Sequence, residues 1–233
     1  MDAPAHKSPK WETDARDHVR AGLRKYLKPM QDLLARDANE SDTRLLVNDI
    51  LSDLLGYDKY SELTTEYMVR GEYADYAIRI DQQTIAFVEV KRVATQLNQK
   101  HLRQIEMYGV NEGVEWLILT NAQSWQVYRL IPGMPVTIDL VLDVDLLGDG
   151  ETLTKKADKL SYLHREFMRR DVLDAVWKAV AATAPKKLAE VVLSDSVLAE
   201  ASRELRRQTG HRIDAADLGR ALRDSVIRPE LAV

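Results

Sequence analysis

The chain reads as an α/β fold in which a central sheet is flanked by helices, with helical additions at both ends. Three observations carry that reading. Between residues 39 and 130 the apolar positions switch from helical spacing to alternation and back, in the order helix, three strands, helix, two strands. Before that stretch, Val19, Leu23, Tyr26, Leu27, Met30 and Leu34 recur at helical spacing. After a turn at Gly148-Asp149-Gly150 the spacing is helical again to the end of the sequence. The expected organisation is a helical segment over 1–38, an α/β core over 39–147 and a helical region over 151–233.

Taken in order, residues 11–37 predict helix, with Pro29 expected to kink or divide it because proline lacks the N–H a helix interior needs. Asn39 followed by Asp42 is an N-cap pattern that opens an amphipathic helix ending near Leu54-Leu55-Gly56-Tyr57. Residues 65–69, 73–80 and 85–91 read as strands, with Asp81, Gln82 and Gln83 as turn chemistry between the last two. Leu97, His101, Gln104 and Tyr108 lie four, three and four apart and share one side of the next helix. Residues 114–120 and 124–130 alternate as strands, and a further alternating stretch follows Pro135 as far as Leu147. Leu160, Leu163, Phe167, Val176, Trp177 and Val180 predict one long helix. Pro185 suits the start of a second, Gly210 the end of a third around 197–207, and a last helix spans about 215–227.

The chemistry sits in the paired strands. In 85–91, Ala86, Val88 and Val90 face one way and Phe87, Glu89 and Lys91 the other, while Asp75 belongs to the preceding strand. Charges near an apolar sheet are costly unless they are paired, hydrogen-bonded or holding a metal. One reading is therefore a structural ion pair. The other is metal chemistry: Mg²⁺ takes one or two carboxylates plus waters and phosphate oxygens, so Asp75 and Glu89 suit it as ligands. Lys91 is then placed to orient or deprotonate a water, or to neutralise charge on a phosphorane. Glu40 is a further candidate ligand, although acids in a first helical turn are also favoured by the exposed N–H groups there. Glu66 is more simply an outward-facing strand carboxylate.

An Asp followed one strand later by Glu89-Val90-Lys91 resembles the PD-(D/E)xK nuclease signature, without its usual proline. Gln104-Ile105-Glu106-Met107-Tyr108 is similar to the Gln-xxx-Tyr motif of one branch of that superfamily. With the order of elements, residues 39 to 130, about two fifths of the chain, resemble the N-terminal nuclease domain of type I restriction enzyme R (HsdR) subunits. That resemblance implies a restriction-endonuclease-like core with a mixed sheet and a Mg²⁺-dependent endodeoxyribonuclease, with Mn²⁺ as a substitute. It also implies a role for Gln104 and Tyr108 in positioning backbone or base. Arg92 and Lys100, with Lys91, His101 and Arg103, form a basic group suited to guiding phosphates. A second basic group, Arg203, Arg206, Arg207, His211 and Arg212, is commonly a solvated helix face.

Other chemistries find no support. The five histidines are scattered, there is no cysteine, and neither a P-loop nor a Gly-x-Ser-x-Gly elbow occurs, so zinc sites, ATPase motors and esterases are not indicated. No apolar run spans a bilayer and residues 1–10 lack a signal-peptide core, which predicts a cytoplasmic protein with no membrane partner. A net charge of −4 argues against non-specific coating of nucleic acid. Two functions remain in view: a DNA-cleaving enzyme of restriction or phage-defence type, or a non-catalytic nucleic-acid-binding or assembly module retaining the fold. Expected partners are DNA, a second copy as a homodimer matching the duplex twofold, and separate ATPase or specificity subunits.

Overall fold

The computed structural model describes residues 8–231, so the opening segment with His6 lies outside the described residues. Two compact units form, the first running to Ala175 and the second starting at Val176.

The first unit opens with α1 (Lys10–Gly22) and α2 (Arg24–Ala35). Their division falls at Leu23 and not at the expected Pro29, which lies inside α2. Asn39 accepts a 2.8 Å bond from the Asp42 amide and caps α3 (Glu40–Asp49), which runs on into a π-helical turn, Ile50–Leu54. There follow β1 (Leu63–Val69), β2 (Glu72–Ile80) and β3 (Gln83–Val90), then α4 (Gln99–Glu112). Asn98 caps α4, so Leu97, expected on that helix, precedes it. β4 (Trp116–Thr120), β5 (Ser124–Ile131) and β6 (Thr137–Asp145) complete a six-stranded sheet in the order β1-β2-β3-β4-β5-β6. Only the β3–β4 pair is parallel, because α4 returns the chain between them; the rest are antiparallel. The sheet is therefore mixed and flanked by helices, as the alternation of patterns requires.

β2 and β3 are joined through Asp81 and Gln82, both with positive φ, the conformation a tight hairpin turn demands. β3 is buried over its last five residues, between neighbours on both edges and packing on both faces. Phe87 on one of those faces joins Ala74, Ala77, Ile105, Tyr108, Val114, Leu117 and Leu130 in a core beneath α4. α4 approaches this core closely because residue 109 has no side chain: a Cβ there would stand 2.7 Å from the Val114 carbonyl oxygen and 2.9 Å from Leu117 Cδ2. Gly109→Ala should therefore lower stability by about 1–3 kcal/mol, read as a fall in Tm, since backbone cannot yield as a flexible side chain does.

The helix expected over residues 160–180 is broken. α5 (Leu153–Leu160) passes through a short 3-10 turn, Ser161–Leu163, into α6 (Arg165–Met168) and then α7 (Val172–Ala182). The first break lets the Arg165 amide bond to the Leu55 carbonyl at 2.8 Å and its guanidinium pair with Glu62 at 2.7 Å. Those partners are about a hundred residues away, and no local pattern announces them. The second break is at Asp171, whose φ of 53° no continuous helix accommodates.

In the second unit, α8 (Pro185–Val192), α9 (Asp195–Thr209) and α10 (Ala215–Ser225) match the helices read from Pro185, Gly210 and residues 215–227. Gly210 takes the left-handed conformation expected of a glycine closing a helix. Among the described residues, no helix is long and apolar enough to cross a membrane.

Candidate active site

The predicted residues meet where β2 and β3 part. The last paired residues before the gap are Tyr76 and Val88, so the Val90 amide has no main-chain partner on β2. Asp75 supplies one: its Oδ2 accepts from the Val90 N–H at 2.7 Å. Its other oxygen, Oδ1, is 3.1 Å from an Arg44 guanidinium nitrogen. Arg44 also lies 3.9 Å from Glu66, and its carbonyl accepts a 2.7 Å bond from the Tyr76 hydroxyl. α3 therefore grips β2 at two consecutive residues, which fixes where the Asp75 carboxylate stands.

Glu89 and Lys91 are joined through Glu89 Oε1 and the ammonium, and the Glu89 side chain is only 4% exposed. Lys91 continues the β3–β4 pairing through a 2.8 Å bond from its amide to the Thr120 carbonyl. Beyond it, Thr43 accepts from the Val93 amide and Asn121 donates to the Val93 and Thr95 carbonyls, so the segment leaving the site is tied to both α3 and β4. Glu89 Oε2 is buried and has no hydrogen-bond partner. Burial raises the Glu89 pKa to about 7, with the negative charges of Asp75 and Glu40 adding to it and Lys91 opposing. For Lys91, burial works against the charged form, but the bond to Glu89 and the charges of Glu89, Glu40 and Asp75 outweigh it, and its pKa is raised.

Glu40, in the first turn of α3, sends its charge toward Glu89, Lys91 and His101. His101 on α4 has its Nδ1 buried without a partner, and burial, then the charge of Lys91, lower its pKa. Among the described residues no three Asp, Glu, His or Cys side chains gather closely enough to hold a metal ion by themselves. The donors that do converge are two carboxylates, Asp75 and Glu89, one oxygen of which is an orphan. That set matches a hard divalent cation completing its shell with water and phosphate.

Tyr108 is 1% exposed and packs edge-on against Phe87, with ring centroids 6.3 Å apart. Its hydroxyl accepts from Gln104 at 3.1 Å and stands 3.1 Å from the Tyr73 carbonyl, so the pair braces β2 two residues before Asp75. In this arrangement Gln104 presents to solvent while Tyr108 does not. Arg92 is committed to Asp37 at 2.5 Å. Lys100 and Arg103 on α4 make no ion pair among the described residues.

Two residues of this constellation escaped the sequence reading. Arg44 lies one turn after Glu40, and that spacing alone puts both on one face of α3. His101 shares a helix side with Gln104 and Tyr108, but its spacing does not show that its Nδ1 is buried beside Lys91.

Residues 39–134 match the family of the type I restriction enzyme R protein N terminus. The matched stretch, 39–134, contains Glu40, Arg44, Asp75, Glu89, Lys91, His101, Gln104 and Tyr108, so the whole constellation lies within the part of the chain that is similar to that family. The crystal structure of the type IIG restriction endonuclease BpuSI is similar at 16% identity and a TM-score of 0.37, over 91% of this chain and 24% of that one. The chain thus spans about a quarter of that protein's length. No curated protein matches.

Proposed function

We propose that this chain is a Mg²⁺-dependent endodeoxyribonuclease of restriction or phage-defence type, hydrolysing DNA phosphodiester bonds. The observation that carries this reading is Glu89 Oε2, a carboxylate oxygen shut away from water with no donor, one strand from the Asp75 carboxylate. Such an atom costs free energy until a cation or proton takes it. Held by Asp75 and Glu89, with Glu40 as a further ligand, Mg²⁺ or its substitute Mn²⁺ would polarise a phosphoryl oxygen and acidify a water.

The chain's own residues do the rest. Asp75 is positioned by the Val90 amide and Arg44, and the brace from Gln104 and Tyr108 holds β2 at its approach. Lys91 keeps its proton near neutral pH, so its part is that of an ammonium beside the charge developing on the phosphorane, and not of a base. Lys100 is free among the described residues to meet a DNA phosphate, whereas Arg92 must first leave Asp37. Separate ATPase or specificity subunits would supply translocation and recognition.

One observation favours the non-catalytic module instead: both Asp75 oxygens are already engaged, Oδ1 by Arg44. Incubating supercoiled plasmid with the full chain and Mg²⁺ or Mn²⁺ separates the two. The nuclease reading expects nicked or linear product from wild type and none from Asp75→Ala. Wild type that leaves every DNA and RNA substrate intact would overturn the nuclease reading in favour of the binding module.

A further inference from the structure

Arg44 is held at the candidate site by less than a structural arginine uses. Its guanidinium meets the Asp75 carboxylate through one nitrogen, Nη1, at 3.1 Å, and the same nitrogen stands 3.9 Å from Glu66. Nε and Nη2 bond to nothing among the described residues. Arg165, by contrast, grips Glu62 in two-pronged fashion, through Nε and Nη2, each at 2.7 Å. Glu66 lies opposite Asp75 in the register of β1 and β2, between the pairs Thr65–Tyr76 and Tyr67–Ala74. Its φ of 51° is a conformation that a residue with a side chain holds only at a cost, and strain of that kind gathers at functional sites. Two carboxylates therefore lie within 4 Å of one guanidinium whose fork is largely unspent.

Asp75 and Glu89, the carboxylates suited to a divalent cation, are each met by a cation of the chain: Arg44 on Asp75 Oδ1 and Lys91 on Glu89 Oε1. The Val90 amide fixes Asp75 Oδ2, so Oδ1 is the oxygen left for an ion, and a divalent charge there repels the guanidinium. One of the two side chains has room to turn outward. Lys91 is 15% exposed, whereas Arg44 is 32% exposed. The main chain of Arg44 need not move with it, because the Tyr76 hydroxyl bonds to the Arg44 carbonyl and not to its side chain. What would receive the guanidinium is an anion that arrives with the cation. A DNA phosphate sharing the shell of Mg²⁺ is such an anion, and a planar fork with two unspent nitrogens fits two phosphate oxygens.

We propose that Arg44 is a positioning residue that hands Asp75 over: it holds Oδ1 until DNA brings a phosphate, turns to that phosphate, and so frees Oδ1 for the cation. This rests on the DNA-cleaving reading above. DNA and cation then strengthen each other's binding, since coupling between two sites is reciprocal. The test is calorimetric titration of Ca²⁺, a hard cation with the same preference for oxygen, into the full chain alone and with a saturating short duplex whose integrity is checked afterwards. Wild type should bind Ca²⁺ about 5- to 100-fold more tightly with the duplex than without it. Arg44→Met should bind Ca²⁺ about 5- to 100-fold more tightly than wild type in the absence of DNA, and match wild type in its presence. A gain of affinity cannot come from unfolding, and adding Asp75→Asn to Arg44→Met should abolish it. Arg44→Met that binds Ca²⁺ no more tightly than wild type overturns the proposal, as does wild type indifferent to the duplex or a gain that survives Asp75→Asn. A gain of equal size with and without the duplex overturns it too, because a charge acting through space would give that. Plasmid nicking in Mg²⁺ is scored separately and tells the two readings apart. Handover without nicking rejects the nuclease and keeps the part assigned to Arg44, and nicking without handover does the reverse.

Discussion

Lys91→Met should lower the single-turnover rate of plasmid nicking in Mg²⁺ by about 10²- to 10³-fold while changing DNA affinity only a few-fold. The asymmetry follows from where the ammonium sits. In the free protein it is bonded to Glu89 and largely shielded from solvent, its side chain only 15% exposed, so it offers little to a DNA backbone approaching from outside. Its value lies in a positive charge already in place when negative charge gathers on the phosphorane, and a group acting only then moves rate and not binding. Methionine preserves most of the stem that lies against the sheet, so loss of packing does not imitate loss of charge. A variant whose affinity falls as far as its rate would make Lys91 a phosphate-binding residue, and one that nicks at the wild-type rate would remove it from the chemistry.

Much of this arrangement was legible because strand geometry has a period of two: once 85–91 is a strand, Phe87, Glu89 and Lys91 must share a face. The N-cap at Asn39 and the glycine that ends α9 were legible for a similar reason, since each is a local rule with a local partner. What escaped depends on elements that meet from afar. Arg44 reaches Asp75 only because α3 lies against β2, and the gap that frees the Val90 amide arises from strand divergence, which no residue pattern encodes. Tyr108 illustrates the same limit: its spacing put it beside the site, but only the packing of α4 on Phe87 turns its hydroxyl inward to the Tyr73 carbonyl. The break before α6 belongs with these, because a pairing between Arg165 and Glu62 outweighs helix periodicity.

Glu89→Gln should change how stability depends on pH, and the sign follows from the direction of the shift. Glu89 has its folded pKa raised, from 4.5 to about 7, so its contribution is fully present below 4.5 and is lost as pH rises through about 7. The loss is on the order of 3 kcal/mol, since each unit is worth about 1.4 kcal/mol and the side chain is too buried for solvent to screen it. The total stability of wild type will not display this plainly. His164, buried beside His18, has its pKa lowered to about 4, so it contributes stability above 6.5 that is lost as pH falls toward 4, opposing Glu89 across much of the same range. Lys91, whose pKa is raised, contributes a constant amount here and changes only above its ordinary 10.5. Subtracting the variant from wild type cancels His164 and isolates Glu89. Urea unfolding of both proteins in EDTA should therefore find wild type losing up to about 3 kcal/mol relative to Glu89→Gln between pH 5 and pH 8. Adding Mg²⁺ at pH 8 should restore wild type, because a cation favours the carboxylate that burial penalises, and should leave the variant where it was. A difference that stays flat with pH would mean that Glu89 titrates as an ordinary surface acid. A Mg²⁺ effect of equal size in both proteins would place the ion somewhere other than on the orphaned oxygen.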